Sequence, residues 1–454
     1  MPPASIAVLS KALSLSHRIR VLEIEVHMHS HLTRAQALFH LLARRMPSLQ
    51  SISITYVPGD TDSTNPQFNL LLPPTFLCGQ TPSHTTVFHL ERCHVSWSFV
   101  SKLTNLTHLH LDGSGDRMHR PSEMEFYRML QRSPRLRELK LGVYAIPAAT
   151  SATIPSLALT ELRHLSLQSS IFSSETINCG RLLDHISFPT TAKLRLEIDG
   201  LSGARPTEPV IDILLPLFNS LAPHLQASSP DVYSVYRSAE IQCNVVKRDR
   251  SVNYESFVLK AWHEEFNSID KFDACKGSKG ISDVGVVCNW DTRLLQPHSS
   301  PTEQGKIATA ALHIIPSAFI KTLYISLEFP PGPSTDFKFA SLLAPYMHST
   351  KLVRLFVCGP YCGAGVMRAL SEASAERVAL PALQAVTLIN VSRPGKDGFE
   401  LGTMQALISY LDCRIKHQVQ LPVITIEPKG RGTSIDVTYE ELFGWIVNRQ
   451  HQPS

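Results

Sequence analysis

The chain has 454 residues, 43% of them hydrophobic and 18% charged, with a formal net charge of +4. That is ample for a folded core and too long for one compact globule. The mild charge gives no basic stripe of the kind a nucleic-acid binder carries, and no run of about 18 apolar residues reads as a membrane span.

The N-terminal stretch MPPASIAVLSKALSLSHR lacks the charged leader and continuous apolar run of a signal peptide. A strand candidate follows at Ile19-Leu22-Ile24. It is the first copy of a recurring phrase: an apolar residue, two variable residues, an apolar residue, one variable residue, an apolar residue. Clear copies are Leu106-Leu109-Leu111, Leu136-Leu139-Leu141, Leu162-Leu165-Leu167 and Leu352-Leu355-Val357. Weaker ones are Leu49-Ile52-Ile54, Ile320-Leu323-Ile325, Leu383-Val386-Leu388 and Leu421-Ile424-Ile426. Their last residues are 30 apart from Ile24 to Ile54 and from Leu111 to Leu141, then 26 apart to Leu167. From Ile325 to Val357 is 32, and from there to Leu388 is 31. A fixed phrase at such intervals marks a solenoid, in which each unit contacts its neighbours and shares a core with them. In Leu106-Thr-His-Leu109-His-Leu111 the period of two puts leucines on one strand face and His108, His110 and Asp112 on the other.

Helices fill the rest of each unit. Residues 34–45 carry Leu38, Leu41 and Leu42 on one face, followed by Pro47. Ser122-Glu-Met-Glu125 has capping-box spacing ahead of Phe126, Met129 and Leu130, and Ser133-Pro134 ends that helix. Strands alternating with helices imply a parallel sheet. The rhythm breaks between Leu196 and Ile325. There, Ala239–Val246 and Ser256–Trp262 alternate and are placed to pair as a hairpin across the charged stretch 247–255, and Val284–Trp290 is a further strand. This region reads as longer, elaborated repeats or as a small insertion. Ile435–Asn448, with Tyr439, Leu442, Phe443 and Trp445, reads as a closing cap.

Few constellations suggest chemistry. His89, His108, His110 and His164 fall on outward strand positions of nearby units, a ladder able in principle to hold a metal or to titrate near neutral pH. A polar contact surface is the simpler reading. Cys358-Gly-Pro-Tyr-Cys362 has the wrong spacing for a zinc knuckle or a thioredoxin motif. No phosphate-binding loop, dinucleotide fingerprint or nucleophile elbow occurs, so no cofactor and no enzyme activity are expected. Nine scattered cysteines read as free thiols in a reducing compartment, cytoplasmic or nuclear.

The segments Phe88-His-Leu90-Glu-Arg-Cys93-His-Val95-Ser-Trp97, Leu103–Leu111, Ser133–Leu141 and Leu182–Pro189, together with the strands ending at Trp262 and Trp290, carry a resemblance. They are similar to the leucine-rich-repeat part of the F-box-like protein families of mushroom-forming (basidiomycete) fungi. The resemblance implies a leucine-rich-repeat right-handed solenoid, a horseshoe with a parallel concave sheet and convex helices. It also implies a substrate-receptor role beside a ubiquitin ligase. Two departures matter. The first repeat strand is already at Ile19, where family members carry a helical F-box, so the SCF adaptor subunit is an expected partner only if an F-box lies upstream. Thr85 stands where the phrase ending Phe88-Leu90 has lost its first leucine.

The expected organisation is residues 1–199 as N-terminal repeats, 200–318 as elaborated repeats or insertion, and 319–454 as C-terminal repeats and cap. The expected function is non-enzymatic recognition of a protein by a monomer, with metal binding or catalysis on the His ladder as the alternative. Outward positions should align in columns: His89, His110, Lys140, Ser166 and Arg195 in one, Glu91, Asp112, Gln168 and Glu197 beside it. Tyr324, Arg354 and Phe356 take the same places later, as an exposed aromatic–Arg group of the kind that anchors interfaces. His89, His110, Lys140, Arg195, Tyr324, Arg354 and Phe356 are therefore the expected partner contacts, and the helical-face residues Glu125 and Arg128 are not.

Overall fold

The alternation that writes leucines on one strand face is realised in the backbone. The computed structural model describes residues 11, 13–28, 42–58, 70–112, 120–148, 150, 154–170, 173–200, 209–226, 236–249, 252–268, 282–291, 301–327, 339–374, 377–391, 401–428 and 434–450. The helix expected over residues 34–45 lies largely outside them. The architecture is α/β with a mostly parallel sheet, and the chain divides into two compact units, Met1–Glu197 and Ile198–Ser454.

The first unit holds β1 (Val21–Met28), β2 (Ser51–Pro58), β3 (Leu70–Leu71), β4 (Val87–Glu91), β5 (Cys93–His94), β6 (His108–Asp112), β7 (Glu138–Leu141), β8 (Leu157–Ala158), β9 (His164–Ser170), β10 (Ile186–Ser187) and the larger part of β11 (Lys193–Gly200). The main sheet runs β1-β2-β4-β6-β7-β9-β11, in chain order. Its registers from β1 to β9 are parallel and unbroken. A single position starts every strand. The amides of Gln50, Thr86, Thr107, Arg137, Arg163 and Lys193 each donate to the carbonyl of the equivalent residue one strand earlier. Leu49, Leu106, Leu136 and Leu162, the first leucines of their phrases, are buried just before those strands. Thr85 takes the same place with 1% exposure, its Oγ1 donating to the Leu49 carbonyl at 3.0 Å. Hydrogen bonding thus replaces the apolar fill that a leucine supplies, as a buried hydroxyl requires.

Helix Glu123–Gln131 forms because Ser122 caps it: the Glu125 amide donates to Ser122 Oγ at 3.3 Å, and the Ser122 amide donates to the Glu125 carboxylate at 3.3 Å. It buries Phe126, Met129 and Leu130. The helix stops at Arg132, and Ser133 Oγ then accepts from the Leu106 amide at 3.2 Å.

The second unit holds β12 (Ser238–Asp249), β13 (Val252–Trp262), β14 (Val284–Asp291), β15 (Thr322–Leu327), β16 (Arg354–Cys358), β17 (Ala385–Val391), β18 (Val423–Pro428) and β19 (Ile435–Val437), in the order β14-β13-β12-β15-β16-β17-β18-β19. The start-of-strand ladder recurs from Arg237 through Lys321, Val353 and Gln384 to Val423. The hairpin expected from Ala239–Val246 and Ser256–Trp262 forms, with β13 antiparallel to β12; the expected parallel sheet is corrected at β14, antiparallel to β13, and at β19, antiparallel to β18. Residues 247–249 and 252–255 do not loop out as expected. Asp249 pairs with Val252, so both strands run through the charged residues to a two-residue connection. A link that short permits only a hairpin. The cap is β19 followed by helix Tyr439–Gln450. Arg414, on helix Leu401–Lys416, is 1% exposed, and its guanidinium donates to the carbonyls of Leu380, Pro381, Leu383 and Gln420 and to the Tyr410 hydroxyl.

Candidate functional site

In the first unit the register aligns part of the expected columns. Ser53, His89, His110, Lys140 and Ser166 are directly opposite one another on successive strands. Glu91 and Asp112 pair in the next column. All lie on the strand face opposite the buried leucines. The side chains of His89, Lys140 and Arg195 are 30%, 42% and 61% exposed, so they reach solvent.

Several side chains on this face are held by a neighbour. The His89 and His110 rings stack with centroids 4.1 Å apart and planes 13° off parallel. Ser53 Oγ lies 3.3 Å from His89 Nδ1, and Glu91 lies 3.9 Å from His89 Nε2. Lys140 pairs with Glu138 at 2.5 Å. Arg195 Nε donates to Glu197 at 2.6 Å, and Gln168 donates to the same carboxylate at 3.2 Å. Burial pushes His110 down to about 4, with help from His89 and Lys140, and Glu138 opposes them. Burial also lowers His89, against the pull of Glu91. Both rings are therefore neutral at physiological pH. Burial raises Asp112, and Glu91 beside it adds to the effect. Burial also acts to raise Glu138, but the Lys140 hydrogen bond and charge, with His108 and His164, hold it below its ordinary value. The register sets Glu138 between His108 and His164, in a column apart from the stacked pair. Among the described residues, no group of three or more His, Cys, Asp or Glu side chains is placed to hold a metal ion.

Tyr324, Arg354 and Phe356 behave differently, and this corrects the expectation of an exposed aromatic–Arg group. Tyr324 is 1% exposed and Phe356 5%, in a cluster with Trp262, Phe266, Cys358 and Ile389. The chain leaves β13 at Trp262 and crosses this face. Phe266 packs on Trp262 with ring centroids 4.9 Å apart. Glu265 accepts from Lys321 Nζ at 2.8 Å and from Arg354 at 2.6 Å. Those cations, the Lys321 hydrogen bond foremost, hold the Glu265 carboxyl below its ordinary value despite partial burial. Register alone does not pick out Glu265, Phe266 or Lys321, yet a signal was present. The outward positions of β15 are Thr322, Tyr324 and Ser326, with no charge among them, and a strand uncharged on both faces is buried on both.

Further in, Glu240 is fully buried beside Lys260, with Nζ 3.9 Å from the carboxylate. The eight cysteines among the described residues are free thiols. Burial raises Cys93, Cys179 and Cys362 to about 12, and Cys288 higher still, which leaves them protonated and poorly nucleophilic. Among the described residues no helix is long and apolar enough to cross a membrane. No protein-family model matches the chain, and no curated protein matches it.

Proposed function

We propose that this chain is a leucine-rich-repeat solenoid that acts as a non-enzymatic recognition scaffold, binding a protein partner through the polar strand face of its first unit. The observation that carries the reading is the unbroken parallel register from β1 to β9. It sets imidazole, ammonium and carboxylate groups in columns on the face opposite the leucine core. Neighbouring pairs already hold those side chains, so little ordering entropy remains to be lost on binding. His89, His110, Lys140 and Arg195 are the proposed contacts. Tyr324 and Phe356 are withdrawn from that set while they stay covered. The substrate-receptor role beside a ubiquitin ligase belongs to this reading, with the SCF adaptor engaged only if an F-box lies upstream. A cytoplasmic or nuclear location and a monomeric state complete it, and the inert buried thiols fit a reducing compartment.

The test uses the chain as bait in an extract of its source cells. Lys140→Glu with Arg195→Glu reverses charge on the strand face, and Arg128→Glu with Gln131→Lys alters charge on exposed helix positions. Proteins captured by wild type and by the helix-face variant should be lost with the strand-face variant. Loss on the helix-face variant instead would place recognition on the other side.

A further inference from the structure

The segment covering the second unit's strand face is held as a bound peptide is held. Its charge is gripped at one point by two cations, Lys321 and Arg354, on either side of the Glu265 carboxylate. Its next side chain, Phe266, is 2% exposed and sits in the aromatic cluster with Trp262, Tyr324 and Phe356. Its main chain is fixed by two buried hydroxyls. Ser238 Oγ donates to the Glu264 carbonyl at 2.7 Å and accepts from the Phe266 amide at 2.9 Å. Thr322 Oγ1 donates to the Phe266 carbonyl at 2.8 Å. Strand positions thus supply two cations, an aromatic floor and two main-chain clamps. This is how a short acidic–aromatic motif is read: main-chain bonds give affinity, and a charge and a ring give identity.

We propose that Lys321, Arg354, Tyr324 and Phe356 form a docking site for an acidic residue followed by an aromatic one on a partner protein, and that Glu265-Phe266 occupies it as an internal stand-in. The inference rests on the reading of the chain as a recognition scaffold, but it uses residues of the second unit alone. A partner must displace the segment, so affinity in trans is reduced by the fraction of molecules in which the site is closed. Ion pairs part-exposed to water are the weakest of the restraints, and the Glu265 pairs are the natural release point.

The experiment measures binding of a fluorescein-labelled peptide of residues 260–268 to the full chain by anisotropy. Glu265→Ala with Phe266→Ala empties the site and should bind the peptide at least tenfold more tightly than wild type. Adding Arg354→Glu to that variant should abolish the gain, and a peptide with Lys at the Glu265 position should fail to bind. Glu265→Gln keeps the side-chain shape and serves if the double variant does not fold; it should also bind more tightly than wild type. A folded variant, judged by its circular dichroism melt, that binds no better than wild type overturns the proposal. So does equal binding of the charge-reversed peptide. Either failure leaves the strand-face bait comparison untouched, so the two readings fail separately.

Discussion

Leu109→Asp tests the strand register at the centre of the first unit. Leu109 is fully buried, in register with Phe88 on one side and Leu139 on the other, both also fully buried. Truncating a buried leucine costs about 2–5 kcal/mol through lost transfer energy and the cavity left behind. A carboxylate at the site adds a polar group without a partner, costing at least about 1–3 kcal/mol more even when it protonates. The sum, about 3–8 kcal/mol, is comparable with the whole stability of many domains, about 5–15 kcal/mol. For a unit of this size it lowers Tm by roughly 6–30 °C. His108→Ser, one residue away on the opposite face, should change stability by about 0.5 kcal/mol or less. The assay is a pair of thermal melts followed by circular dichroism. Equal shifts for the two variants, or a small shift for Leu109→Asp, would refute the assignment of inward and outward positions.

Two further outcomes follow from single groups. Arg414→Lys replaces a planar five-donor fork by a point charge and strands buried carbonyls of Leu380, Pro381 and Leu383, so the urea midpoint should fall by at least about 2 kcal/mol in free energy; a change under about 0.5 would mean the network is not structural. His110 stands near 4 in the folded chain against 6.5 ordinarily, so the unfolded chain binds its proton first. Its contribution is present above about 6.5 and is lost as pH falls toward 4, by roughly 1–2 kcal/mol after allowing for its partial contact with water. Burial sets the sign; His89 and Lys140, which face it, add to the effect, and Glu138 opposes it. His110→Gln should flatten the fall in Tm between pH 6.5 and 4, and an unchanged slope would remove His110 as its source.

The phrase leucines were legible because period two and the interval of about 30 residues are properties of the chain itself. The column from His89 to Ser166 followed once the strands were taken as parallel and in order. The hairpin of β12 and β13 was legible as a pair, but its length was not. Lys247 to Arg250 are four charged residues in a row, and such a break in hydrophobicity looks like a loop until the pairing is known. The fate of Tyr324 and Phe356 was the costliest miss. Strand parity fixes which way a side chain points but not what lies above it, and the residues above come from the segment after Trp262, roughly 60 positions earlier than Tyr324. The uncharged outward positions of β15 carried that information in the sequence, because an exposed strand face without charge is uncommon.

Site-specific photocrosslinking tests the central claim most directly. A photoreactive phenylalanine analogue at Ser166, part-exposed in the column beyond Lys140, samples what touches the strand face, and the same group at exposed Arg128 samples the helix face. Irradiated in the source cells, the Ser166 chain should form a discrete protein adduct that disappears when Lys140→Glu and Arg195→Glu are added, while the Arg128 chain forms none. A discrete adduct from Arg128 with none from Ser166 would contradict the assignment of the recognition surface.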